Sequence, residues 1–166
     1  KRVSPRDMSK TTNLQKGVIM SDYIVKIVPR DPTCKVAEQR LMEAKHFIES
    51  KLSCDSVTIE FYEFPQFIDC GGNLERILCP LCGAVLDMNW WSNAVSRAYE
   101  NHFRVLETVL PCCGQTASLN DLKYDFQCAF ASCAILIMNP WSIVEEVIAH
   151  VQEVLGSEIT VIHALY

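Results

Sequence analysis

The chain has 166 residues, of which 49% are hydrophobic, 21% charged and nine are cysteine, enough apolar material to enclose a core. No apolar run approaches the ~18 residues of a membrane span; the longest, Ala129 to Met138, is interrupted by Ser132 and ends at Asn139-Pro140. The net charge of −5 is unevenly placed: residues 1–20 carry five basic side chains and one acidic, residues 21–166 ten basic and nineteen acidic, and a body at −9 disfavours a phosphate backbone and favours a basic partner.

Residues 1–20 are polar and show no periodicity; they read as a flexible basic leader or an expression remnant. Their basic start has no apolar core behind it, so no secretion signal is expected. From Tyr23 the pattern is regular. Tyr23-Ile24-Val25-Lys26-Ile27-Val28 is β-branched and predicts a strand. Asp31-Pro32 offers an N-cap followed by proline at the first helical position. The helix expected there runs to about Leu52, with Val36/Ala37, Leu41, Ala44, Ile48 and Leu52 on one face. Ser56 to Phe64 alternates as a second strand.

The end of the chain repeats the plan. Ala134 to Met138 predicts a strand, and Asn139-Pro140 is placed as Asp31-Pro32 was. A helix follows with Ile143/Val144, Val147/Ile148, Val151 and Val154/Leu155 on its face and Gly156 as its stop, before a last strand from Glu158 to His163. Trp141, in the expected first turn of that helix, reads as a core residue. Strand–helix–strand thus occurs twice, at 23–64 and 134–165. An α+β fold follows, and the pattern resembles a ferredoxin-like βαββαβ sandwich: an antiparallel sheet with two helices on one face. That resemblance assigns 21–65 and 129–166 to the body and 66–128 to an insertion between its second and third strands.

The insertion holds two cysteine clusters, Cys79-Pro80-Leu81-Cys82-Gly83 and Pro111-Cys112-Cys113-Gly114, with residues 83–111 between Cys82 and Cys112. Two thiolates on a tight turn, with glycine next to allow positive φ, is the form of a zinc knuckle. Short strands are expected at Arg76–Leu78, Ala84–Leu86, Leu106–Leu110 and Ala117–Phe126, with a helix from about Asn89 to Arg104. Two hairpins joined by one metal resemble a zinc ribbon, over roughly residues 66–126, here enlarged by a helix. The expected ligands of a structural Zn2+ are Cys79, Cys82, Cys112 and Cys113. Adjacent residues on extended backbone point opposite ways, so Cys70 and His102 stand as alternatives to Cys113 for the fourth place. Few large apolar residues lie in the insertion outside its helix, so metal binding is expected to order it, and a chelator to melt 66–128 before the body.

Nine cysteines cannot all pair, and a Cys-x-x-Cys without a secretion signal indicates a reducing, cytoplasmic setting. A redox dithiol would open a helix after a strand, whereas Gly83-Ala84-Val85-Leu86 follows here. Neither a His-Glu-x-x-His, a nucleophile elbow nor a glycine-rich phosphate loop occurs. His46, His150 and His163 read as structural, and Cys34, Cys54, Cys128 and Cys133 as small apolar core residues. Asn89-Trp90-Trp91 opens the inserted helix and offers Trp90 and Trp91 as a partner-binding surface. The functional expectation is a non-enzymatic, zinc-stabilised protein-binding module, of the kind that neutralises a basic partner as acidic inhibitor and immunity proteins do; self-association is compatible with it. The alternative is a nucleic-acid-binding zinc-ribbon protein, for which strand one would offer Tyr23 and Lys26.

Overall fold

The computed structural model describes residues 22–166; the basic leader expected at 1–20 lies outside them. The fold is mixed α+β, with a four-stranded antiparallel sheet and three helices. The sheet is built from β1 (Tyr23–Pro29), β2 (Ser56–Ile68), β7 (Ala129–Met138) and β8 (Ile159–Leu165), in the order β2-β7-β1-β8. β1 and β7 are central, registered from Ile24 opposite Met138 to Ile27 opposite Ile135. The connections carry α1 (Glu38–Lys51) between β1 and β2 and α3 (Glu145–Leu155) between β7 and β8.

Alternation along a strand sends successive side chains to opposite faces. Val25 and Ile27 of β1, with Cys133, Ile135 and Ile137 of β7, face Leu41, Ala44 and Ile48 of α1 and Val147, Val151 and Leu155 of α3. These are the helix faces expected from the 3.6-residue pattern. Gly156 ends α3 in the left-handed conformation at φ 67°, also as expected. Both helices start later than expected. α1 begins at Glu38, and the Asp31 carboxylate accepts instead from the N–H of Thr33 at 2.8 Å, closing a local turn. α3 begins at Glu145; Asn139 takes positive φ (46°) and its side chain accepts from the N–H of Tyr23 at 3.0 Å. An Asx-Pro pair signals a turn as readily as a cap, and here the turn wins because each pair ends a strand that must first leave the sheet. Trp141, expected in the core, is 91% exposed for the same reason: it lies on the turn ahead of α3.

The other face of the sheet is also apolar. Val28, Phe130, Ala134 and Ile162 share one core with residues of the insertion: Ala94 and Ala98 of α2 (Met88–Glu100), Phe103, Leu106, Leu110, Leu119, Leu122 and Tyr124. The insertion therefore brings several large apolar residues outside its helix, more than the sequence pattern indicated. Its strands are short: β3 (Ile77–Leu78), β4 (Glu107–Val109), β5 (Thr116–Ser118) and β6 (Lys123–Tyr124). β3 pairs with β6 and β4 with β5; the strand expected at Ala84–Leu86 reduces to a single bridge between Leu78 and Val85. Asp87 caps α2 by accepting from the N–H of Trp90 at 2.9 Å. The helix stops short of Arg104 because His102 and Phe103 both turn to positive φ (54° and 55°), which drops Phe103 into the core against Phe130.

Lys26 is 6% exposed and is the buried charged side chain among the described residues. It lies on the same face as Val28, where its ammonium donates to the Asp69 carbonyl (2.8 Å), the Asp69 carboxylate (3.2 Å) and the Tyr166 hydroxyl (2.7 Å). Partial burial works against the charge on Asp69, but hydrogen bonds from Tyr166 and the Gly71 N–H, together with the nearby ammonium, hold its carboxyl below the usual carboxylate range. This knot fastens the sheet to the point where the insertion departs. Gly71 completes it at φ 72°, where an added Cβ would stand 2.1 Å from the carbonyl oxygen of Leu165, whereas nothing lies within 4 Å of one added at Gly72. Gly71→Ala is expected to destabilise the protein by about 2 kcal/mol or more through strain and collision. Gly72→Ala should stay within about 0.5 kcal/mol, both read from urea unfolding midpoints.

Candidate metal centre

The sulfur atoms of Cys79, Cys82, Cys112 and Cys113 all lie within 4.8 Å of one another. Cys79 and Cys113 are 3.9 Å apart and Cys82 and Cys112 3.5 Å. Four sulfurs around a tetrahedral ion with bonds of about 2.3 Å stand about 3.8 Å apart, so the cage fits such an ion. A disulfide, at about 2.05 Å, would be far tighter. The four thiols could hold a metal ion between them, and they are the residues singled out from the sequence.

Two turns present them. Cys79 starts the first, directly after β3. Its carbonyl accepts from the Gly83 N–H at 3.1 Å, and its own N–H donates to Ala84 at 2.8 Å. Gly83 sits at φ 76°, a conformation that a side chain would oppose. The Cys79 sulfur is fully buried and accepts from the N–H groups of Leu81 (3.4 Å) and Cys82 (3.3 Å). Desolvation raises this thiol, yet those two N–H groups and the neighbouring thiols outweigh it and bring it down to about 6. Cys112 moves the other way: desolvation and the surrounding thiols of Cys82, Cys79 and Cys113 push it up to about 12.

The second turn is the first one again. The Gly114 N–H donates to the Leu110 carbonyl at 2.9 Å, the Leu110 N–H donates to Gln115 at 2.8 Å, and Gly114 sits at φ 70°. Cys79-Pro80-Leu81-Cys82-Gly83 thus matches Leu110-Pro111-Cys112-Cys113-Gly114 position for position. Leu110 occupies the place of the first cysteine and is fully buried in the shared core. Cys113 matches Cys82. Cys112 comes from the place held by Leu81 in the first turn. This is how two adjacent cysteines reach one cage: the turn curls, so the opposition expected of extended backbone does not apply. The equal spacing of Pro80 to Gly83 and Pro111 to Gly114 is the sequence signal that reveals the match.

The two alternative ligands lie in other surroundings. Cys70 is buried with its sulfur 3.5 Å from that of Cys128, the one just past the end of β2 and the other just ahead of β7. His102 stacks on Phe64 with ring centroids 4.6 Å apart. Trp90 and Trp91 are both partly buried against the shared core. The indole N–H of Trp91 donates to the Tyr124 hydroxyl at 3.3 Å, and its ring meets Phe67 edge-on.

A second feature lies where body and insertion meet. A cleft of about 570 Å³ is lined by Arg30, Asp31, Arg104, Glu107, Asp121 and Glu158, among others. Arg30 reaches Glu158 at 3.5 Å and Asp121 at 4.0 Å, and the Arg104 guanidinium lies over the Phe64 ring at 4.5 Å. Four carboxylates face two guanidinium groups, so the cleft is acidic. Among the described residues, no helix is long and apolar enough to cross a membrane. No protein-family model, curated protein or solved structure matches the chain.

Serine substitution at each of Cys79, Cys82, Cys112 and Cys113 is expected to remove stoichiometric binding of Co2+, together with the intense visible bands of a tetrahedral tetrathiolate. Cys70→Ser, Cys128→Ser and His102→Ala should keep both. Loss of the bands in Cys70→Ser with retention in Cys113→Ser would reassign the fourth ligand.

Proposed function

We propose that this chain is a non-enzymatic protein-binding module whose inserted segment is held in shape by a structural Zn2+ and whose acidic surface receives a basic protein. The four-sulfur cage is the observation that carries the reading. Four protein thiolates complete a tetrahedral shell and leave no place for a substrate or an activated water. Thiolate sets of this geometry suit Zn2+. The strand order β2-β7-β1-β8, with α1 and α3 on one face, supports a ferredoxin-like body, and the two turns support a zinc-ribbon-like insertion. A reducing cytoplasmic setting agrees with free thiols throughout.

The acidic cleft supports the basic partner. Asp31 and Glu107 line it beyond the pair that Arg30 already engages, so an incoming lysine or arginine would meet unspent negative charge. Trp90 and Trp91 on α2 serve as the apolar anchor in this reading, and exposed Trp141 offers another. The nucleic-acid alternative loses support from strand one: Lys26 is consumed by Asp69 and Tyr166, and the Tyr23 hydroxyl lies 2.5 Å from His163. The insertion also covers much of the face that an RNA-binding sheet presents.

Chelation tests the metal's role. Because the insertion and the sheet share a core, loss of the ion should reach into the body. Hydrogen exchange is expected to accelerate across 66–128 and at Val28 and Ile162, while Val25, Ile27 and Ile135 beneath α1 and α3 keep their protection. Unchanged exchange in 76–114 after metal removal would sink the structural role.

The partner is tested by capture on the zinc-loaded chain from a lysate of its own source, analysed for protein and nucleic acid. The expected result is one basic protein in equimolar amount, resistant to nuclease, with affinity reduced roughly tenfold or more by Glu107→Lys with Asp31→Lys. Nuclease-sensitive material, with no protein retained, would overturn the reading.

A further inference from the structure

We propose that Cys112 is the reactive thiolate of the metal centre: a peroxide oxidises it first, and its capture by Cys82 ejects the ion. The proposal rests on the zinc reading above and adds to it a modification site. The argument comes from the permuted turn. In the first turn the ligand sulfur at the leading position, Cys79, is buried and shielded by two backbone N–H groups. In the second turn that leading position is Leu110, and the fourth sulfur is supplied from the outer position. The residue at the same outer position of the first turn, Leu81, is 59% exposed, which shows where side chains from that position point. Cys112 is exposed accordingly. Among the described residues, no backbone N–H donates to its sulfur.

N–H groups that bond a thiolate stabilise its charge and lower its nucleophilicity. Cys79 has two such groups, whereas Cys82, Cys112 and Cys113 have none among the described residues; of these three, Cys82 and Cys112 are exposed, and Cys112 alone stands at the outer position of its turn. Cys82 is the other exposed member, and its sulfur lies 3.5 Å from that of Cys112. The buried Cys70 and Cys128 pair has similar spacing but no access for an oxidant.

The chemistry balances with hydrogen peroxide as the oxidant. The Cys112 thiolate attacks one peroxide oxygen, the O–O bond breaks, and the departing hydroxide takes a proton to leave as water. The sulfenic acid so formed is attacked at sulfur by the Cys82 thiolate. The S–S bond forms, the S–O bond breaks, and a second hydroxide leaves as water with a second proton. Two thiolates, one peroxide and two protons give one disulfide and two waters, with two electrons passing from sulfur to oxygen. The ion is left with two of its four ligands and departs.

The test uses the full chain loaded with one equivalent of Zn2+ and treated with stoichiometric hydrogen peroxide. Zinc release is followed with a chromogenic chelator, sulfenic acid is trapped with dimedone, and disulfides are mapped by peptide mass. The expected result is dimedone first on Cys112, then a Cys82–Cys112 disulfide formed in step with release of one zinc. A paired variant, Leu110→Cys with Cys112→Leu, gives both turns the same residue order. It is expected to keep one zinc and to release it about tenfold more slowly under peroxide. First trapping on Cys82 or Cys113, a Cys112–Cys113 disulfide, or release from the paired variant at the original rate would overturn the assignment. If that variant does not fold, the trapping order on the unsubstituted chain decides alone. A chain that takes up no zinc before peroxide is added overturns the metal reading itself, and this proposal with it.

Discussion

A four-stranded sheet has two faces, and in this protein both are apolar. The helices α1 and α3 cover only one. Val28, Phe130, Ala134 and Ile162 on the other would face water unless the chain supplied a second cover. The segment between β2 and β7 does so, laying Phe103, Leu106, Leu110 and Leu119 onto that face. Its course follows from this demand: it leaves the sheet at Asp69, where Lys26 holds it, and returns at Cys128.

That cover is poor in regular structure. Its strands are two or three residues long and pair only with each other, which is too little hydrogen bonding to hold a segment of this length. α2 adds one capped helix and two buried alanines. An ion held by the four thiols would cross-link the two turns and compensate. The cage ties the end of β3 to the end of β4, and Leu110, beside it, reaches into the shared core. Metal-binding energies on the order of 10 kcal/mol are large against the stability of a domain of this size. With an ion in place, the cage and the apolar cover would act as one unit.

Under the proposed function, the same arrangement would separate rigidity from recognition. The four sulfurs face one another, with Cys79 buried and Cys82 and Cys112 exposed, while the acidic cleft opens where the insertion meets the body. Its carboxylates come from both: Asp31 and Glu158 from the turns at the edge of the sheet, Glu107 and Asp121 from the insertion. A partner bound there would sense whether the insertion is in place, which links the state of the cage to the surface it supports.

Much of this was legible in the residue pattern. β-branched runs gave β1 and β7, the 3.6-residue spacing gave the buried faces of α1 and α3, and Gly156 marked a stop, because each of these is set by near neighbours in the chain. The four thiols were legible too, since a tight turn that presents sulfur requires glycine just beyond it. What depends on distant contacts was not. Asp31-Pro32 and Asn139-Pro140 carry the local signal of a helix cap, yet the chain must first clear the sheet, so the helices begin at Glu38 and Glu145 and Trp141 is left in solvent. The ending of α2 at His102 and Phe103 has no glycine to announce it; the pull of Phe130 on Phe103 supplies the reason. Adjacent Cys112 and Cys113 could be reconciled with one ion only once Leu110 was seen to fill the first place of a repeated turn. By itself the sequence determined the two strand–helix–strand halves, the acidic body and the four sulfurs, all properties of short-range spacing and composition. Only the tertiary structure decided that the insertion roofs the second face of the sheet and that Cys112 stands on the outside of the cage, because both follow from burial against residues far away in the chain.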